Sequence, residues 1–276
     1  MFSAFRRSKI VAAVILVVSL VLIVLIWRRD QGMPVAVPII ASVITLGLGI
    51  IAGRLFGGLL ANMENTRYLG YLHMELDPEK FISVYKNVPD KVRPANGEQA
   101  SICRCYLSDG YWASGDFSAA LRVLGDKPEK SDGVIGLYEI KRATNLLATG
   151  DFEEAGRSLE ELKSAVRKTK GKKPALSANL RDNLEFLEQY RNVLTGGETN
   201  KAWLEEAFGR AQYNLRRLEI AYLLALIAVK NGDRKEAAQR LSYMKEQGGK
   251  TIFPRLAEEI REKKLAQQKQ KQGEKR

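Results

Sequence analysis

Two uncharged apolar runs stand side by side at the start of this chain, and they limit what it can fold into more than any other feature. Ile10–Trp27 has Ser19 as its only polar side chain, and Val35–Gly53 carries no charge. About 20 apolar residues cross a hydrocarbon core of roughly 30 Å as a helix. In lipid a helix satisfies its own backbone hydrogen bonds. A signal peptide is the competing reading for the first run. That run is longer than an ordinary h-region, and Arg28-Arg29-Asp30 stands where a small-residue cleavage site belongs. The expected start of the chain is therefore a two-helix transmembrane hairpin over residues 1–60, with spans at about 10–27 and 35–53.

Lysine and arginine near the helix ends set the expected orientation. Arg6, Arg7 and Lys9 precede the first run, Arg28 and Arg29 lie in the loop, and Arg54 and Arg67 follow the second run. The flanks outweigh the loop, so both termini are expected in the cytoplasm, with the protein in the cell (inner) membrane. Gly49, Gly53 and Gly57 recur every fourth residue of the second run. Such a small-residue stripe lets a neighbouring helix approach closely, and the first span is the nearest candidate.

The net charge of +12 is local rather than general. Residues 1–55 carry six basic side chains against Asp30, and the tail 261–276 carries seven against two. The rest hides one run without an intervening acid: Lys163, Arg167, Lys168, Lys170, Lys172 and Lys173. That distribution argues against a nucleic-acid footprint over the whole protein. The run reads first as a solvated linker, next as a contact for anionic lipid, and last as a contact for RNA. No aromatic interleaves the lysines, so base stacking has no support. The tail is expected to be disordered beyond Ala266.

Little here suggests catalysis. His73 is the one histidine, and a lone helical histidine is ordinarily structural. There is no glycine-rich phosphate loop, His-Glu-x-x-His or Gly-x-Ser-x-Gly motif. Cys103 and Cys105 on one helix point their thiols about 200° apart, which disfavours a disulfide or a zinc pair. They read as buried structural thiols. No metal or cofactor is expected, and the chain is not expected to be an enzyme.

The polar body contains an internal repeat. Three segments end a helix, turn at Gly-Asp and begin another helix with alanine five residues after the glycine: Gly115-Asp116 with Ala120, Gly150-Asp151 with Ala155, and Gly232-Asp233 with Ala237. Glycine takes the left-handed conformation that stops a helix. Aspartate caps the next helix, and the small alanine allows close packing. Leu124, Leu159, Leu162, Leu241 and Met244 then follow at helical spacing. Between the second and third segments, Ala175–Leu194 reads as a helix stopped by Thr195-Gly196-Gly197. Thr199-Asn200 starts another that contains Trp203, Leu204, Ala207 and Phe208. Tyr68–Leu76 and Pro78–Tyr85 form a further candidate pair, and Pro254 opens a last helix.

This grammar resembles the tetratricopeptide repeat family. In the first unit Leu107, Ser108, Tyr111, Gly115, Phe117, Ala120 and Leu124 fall on the family's positions. In the second, Ala143, Leu146, Gly150, Phe152, Ala155 and Leu159 do so. In the third, Leu224, Ala225, Gly232, Ala237 and Leu241 fit, with Arg234 in place of the aromatic; Arg142 and Lys127 also depart from the pattern. The resemblance implies an all-α fold in which a solenoid of antiparallel helix pairs occupies residues 61–260, followed by a basic tail over 261–276. It also implies a concave groove lined from the first helix of each pair, with Arg104, Tyr111, Glu139, Arg142 and Asn145 as candidates for peptide contact. The expected role is a membrane-anchored scaffold for a protein partner. An adaptor for anionic lipid or RNA is the alternative, and a noncatalytic subunit of a membrane enzyme complex is the second alternative.

Overall fold

The computed structural model describes residues 4–29, 34, 36–92 and 97–273. The described residues form helices and connecting turns, with no strand among them. They divide into two compact units, Met1–Tyr68 and Leu69–Arg276.

The first unit holds α1 (Ala4–Arg29) and most of α2 (Ala36–His73). Both are long and apolar enough to cross a membrane, with mean hydropathies of 3.3 over Ile10–Arg29 and 2.2 for α2. Their leucine, isoleucine and valine side chains are largely exposed. Such a surface is costly in water, at about 25 cal/mol per Å² of apolar area. Ser19, the one polar residue of the first run, is 5% exposed and donates to the Ile15 carbonyl at 2.9 Å. A Cβ placed on Gly49 would collide with the Ser19 side chain, and one on Gly53 would lie 3.5 Å from Ala12 Cα. Trp27 Nε1 donates to Ser42 Oγ at 3.1 Å. The backbone of Gly57 is helical, but its surroundings lie outside the described residues.

One expectation fails at this point. Tyr68–Leu76 does not begin a new helix, because α2 runs unbroken from Ala36 to His73. Gly57-Gly58 sits inside it. Interior glycine costs a helix about 1 kcal/mol but does not stop it.

The second unit follows as α3 (Pro78–Tyr85), α4 (Val88–Val92), α5 (Gly97–Ser114), α6 (Phe117–Leu124), α7 (Asp132–Thr149), α8 (Phe152–Thr169), α9 (Pro174–Thr195), α10 (Lys201–Arg210), α11 (Asn214–Lys230), α12 (Arg234–Gln247) and α13 (Phe253–Gly273). α5 packs on α6, α7 on α8, and α11 on α12. The three joints share one geometry. Gly115, Gly150 and Gly232 have φ of +88, +81 and +74°. The amide after each glycine donates back along the preceding helix: Asp116 to Tyr111, Asp151 to Leu146, Asp233 to Ala228. Each aspartate then accepts from an amide of the next helix, those of Ala119, Glu154 and Glu236. This is the helix-stop and helix-start chemistry expected of the Gly-Asp pairs. The alanines at the contacts are buried, with Ala120 and Ala155 at 0% and Ala237 at 1% exposure.

The main core runs through α7, α8, α9 and α11, with Leu147, Leu159, Leu162, Leu187 and Leu224 among its buried members. Full burial of one such side chain contributes about 1.5–3 kcal/mol. Beyond the core, the C-terminal turn of the unit meets its beginning. Lys250 N donates to the Leu76 carbonyl at 3.0 Å, and Ile252 N donates to the Ala113 carbonyl at 2.8 Å. Lys250 Nζ pairs with Asp77 at 2.6 Å, and Asn214 Nδ2 donates to the Met74 carbonyl at 2.8 Å. Trp112 and Phe253 meet edge to face with centroids 5.7 Å apart. Leu76 holds φ +56°, an uncommon conformation for a branched side chain, and it is kept there against Gly249.

Two further expectations change. The basic run does not form a single linker, because α8 extends to Thr169 and carries Lys163, Arg167 and Lys168. The chain there is built from good helix formers, and Lys163 pairs with Glu160 and Glu188. The tail does not end its helix at Ala266 but continues helical through Gly273, consistent with its Ala, Gln, Glu and Lys content.

Candidate functional site

The residues expected to line a groove do not share one set of neighbours. Glu139 is 2% exposed and pairs at 3.1 Å with Lys127, which also reaches Glu161 on α8 at 3.2 Å. Arg142 bridges to α8, donating to Ser158 Oγ at 2.7 Å and pairing with Glu154 at 2.5 Å. Lys127 and Arg142, which depart from the repeat pattern, thus tie loop and helix together across the second pair. Asn145 is 1% exposed and donates to Ser108 Oγ on α5 at 3.1 Å and to the Lys141 carbonyl at 2.8 Å. Tyr111 is half-buried, and its carbonyl accepts from Asp116 N and Ser114 Oγ. Arg104 is half-buried and lines a cleft with Lys86 and Arg122.

The structure assembles a different polar centre instead. Lys141 on α7 pairs with Asp109 on α5 at 2.8 Å, with side-chain exposures of 19 and 14%. Burial pushes the Asp109 carboxyl above its ordinary range, and Lys141 opposes this by charge and hydrogen bond. Burial pulls the Lys141 ammonium down, but Asp109 outweighs it and leaves the ammonium above its ordinary value. Glu219 on α11 also supports the Lys141 charge, and Arg216 supports the charge of Asp109. Arg216 and Glu219 pair with each other at 2.9 Å, and the Arg216 guanidinium lies 3.4 Å from the Phe186 ring centroid. His73 stacks obliquely on Tyr213 at 5.4 Å. The Lys141–Asp109 pair thus ties α5 to α7, and the Arg216–Glu219 pair on α11 adds compensating charge nearby.

Sequence reasoning missed this centre. Asp109 and Lys141 lie far apart in the chain, and neither stands in a recurring motif. The one local signal was Asp109 itself, a poor helix former in the interior of a helix.

The two thiols are buried at 3 and 1% exposure and form no disulfide. Burial pushes the Cys105 thiol up to about 12 and also raises Cys103. Of the basic run, Arg167, Lys168, Lys170, Lys172 and Lys173 are exposed around the α8–α9 turn. Asp132 is the carboxylate nearest to them in an ion pair, 3.9 Å from Lys168.

No family model matches the chain, and no curated protein or solved structure does either.

Proposed function

We propose that this chain is a membrane-anchored, noncatalytic adaptor whose body, a solenoid of the tetratricopeptide type, holds a protein partner at the membrane. The observation that carries this reading is the shared joint of three helix pairs, Gly115-Asp116, Gly150-Asp151 and Gly232-Asp233, with each aspartate committed to capping. Stacked helix pairs present extended surfaces suited to peptides and helices. The contacts of Ala12, Ser19 and Trp27 with Gly53, Gly49 and Ser42 support a transmembrane hairpin as the anchor. The basic flanks favour both termini on the cytoplasmic side of the inner membrane.

Photo-crosslinking in intact membranes, with probes on the exposed faces of α5, α7 and α11, should capture one discrete protein. Capture of lipid alone would overturn the reading. Orientation has a separate test. In a background lacking Cys103 and Cys105, a cysteine at Gln31 should react with an impermeant thiol reagent on intact cells, while one at Gln270 should react only after permeabilisation. Labelling at Gln270 in intact cells would place the body outside.

A second reading rests on the exposed cations of the α8–α9 turn, which suit anionic lipid at about 1 kcal/mol per residue near the surface. Steep loss of binding with salt, abolished by neutralising Lys170, Lys172 and Lys173, would favour it.

A further inference from the structure

A cleft of about 370 Å³ opens on the body beside α3, α5 and α6. Its apolar lining is made by Leu107, Pro89 and Val123, of which the first two are buried. Three cations stand around it on three separate segments: Lys86 after α3, Arg104 on α5 and Arg122 on α6. None of the three forms an ion pair with a described residue, and Asp90 and Asp126, also on the rim, make none either. Arg104 lies over the backbone that ends α6. Gly125 has φ +63°, and a Cβ there would come within 3.2 Å of Arg104 Nη1. The turn is held from its other side by Tyr138 Oη, which donates to the Gly125 carbonyl at 3.2 Å.

The half-buried Arg104 forms no ion pair with a described residue, so its fork is free to accept a guest. Lys86 and Arg122 line the same cleft, so cations there outnumber the two carboxylates, Asp90 and Asp126. Such a site favours an anionic guest. One planar carboxylate is satisfied by a single arginine fork. Three cations approaching from different segments instead match the three terminal oxygens of a tetrahedral phosphate, which carries about −1.5 to −2 charge at neutral pH. The flanking carboxylates disfavour a second phosphate and accept from hydroxyl or ammonium groups. The volume is at the small end of the range for organic ligands, about 300–1,000 Å³.

We propose that the cleft among Lys86, Arg104 and Arg122 binds a small phosphate monoester, with Asp90 and Asp126 receiving polar donors on the organic remainder. This goes beyond the adaptor reading and does not depend on it. The ester has two sources, a free metabolite or a lipid headgroup ending in phosphate.

The test uses the full chain in phosphatidylcholine nanodiscs, titrated calorimetrically with inorganic phosphate, glycerol phosphate and glycerol at about 0.15 M salt. Glycerol phosphate should bind saturably at one site, inorganic phosphate more weakly, and glycerol not at all. Arg104→Gln should weaken binding about tenfold or more, and so should Arg122→Gln, whose exposed position spares the fold. Lys172→Gln, far in sequence on the α8–α9 turn, should change nothing. Repeating the titration in nanodiscs with about one-fifth phosphatidic acid separates the sources. Competition identifies the lipid headgroup, and unchanged affinity identifies the free ester. Absence of saturable binding, insensitivity to both arginine variants, or an equal loss with Lys172→Gln would overturn the proposal.

Discussion

Replacing Lys141 by methionine leaves Asp109 in place without its partner. At 2.8 Å and an effective dielectric near 20, the attraction lost is about 6 kcal/mol. Much of it only offsets the cost of removing both charges from water, and breaking a buried pair typically costs about 3–5 kcal/mol. Because both side chains keep some solvent access, about 2–4 kcal/mol is the expected loss for Lys141→Met. For a body of roughly 200 residues, that lowers the melting temperature by about 5–15 °C. Asp109→Leu alone should cost a comparable amount by stranding the ammonium. The double variant, Asp109→Leu with Lys141→Met, should recover to within about 1 kcal/mol of the parent, since a matched apolar pair removes both burial penalties. Thermal melts of the four proteins in the same detergent, followed by circular dichroism, complete the cycle. If the double variant loses the sum of the two single losses, the charges are not coupled and the proposed pinning of α5 to α7 is wrong.

Gly150→Val should cost about 1 kcal/mol or more. Nothing lies within 4 Å of an added Cβ there, so the loss comes from the left-handed backbone alone. Ala155→Leu should cost about 1–3 kcal/mol by overpacking a contact with no free surface; unmoved melts for both would refute the joint geometry. Cys103 and Cys105 should resist Ellman's reagent at neutral pH until the body unfolds, because burial keeps both thiols protonated; rapid stoichiometric reaction in the folded protein would contradict this. The Lys250 hydrogen bond, aided by the Lys80 amide, holds the Asp77 carboxyl below its ordinary value of 3.8. Its contribution is therefore complete above the unfolded value and fades as pH falls through the lower native one. The difference in melting temperature between the parent and Lys250→Met should accordingly close as the pH drops below the ordinary carboxylate range, and a difference independent of pH would show that Asp77 is not the partner that matters.

What could be read from the sequence was local chemistry. The Gly-Asp joints combine a stop signal and a start signal in adjacent residues, so Gly150 and Asp151 announce their roles without any knowledge of the rest of the chain. The apolar runs are equally self-contained. The missed features depend on distance. Nothing beside Asp109 identifies Lys141 as its partner, and nothing near Lys250 points to Asp77. Arg104 looked like a groove residue from its register, but its surroundings are set by Lys86 and Arg122, on segments that only the fold brings together. The continuous α2 shows a different limit. A glycine pair such as Gly57-Gly58 weakens a helix without ending it, and neither it nor the capping-type Asn62, Asn65 and Thr66 beyond it interrupts α2.

The meeting of residues 248–252 with residues 74–77 bears on how the body comes apart. In an open array each unit touches only its neighbours, so the terminal ones can fray while the middle stays folded. Here the last joint is bonded to the first turn, with Lys250 and Asp77 separated by 173 positions in sequence. Neither end is then a free end. Peeling α13 away removes support from the junction at Leu76, and loosening that junction exposes Phe253 and Trp112. Loss of either terminus should therefore spread through the whole body as one transition instead of proceeding unit by unit. Hydrogen exchange in α3 and α12 should report the same opening free energy.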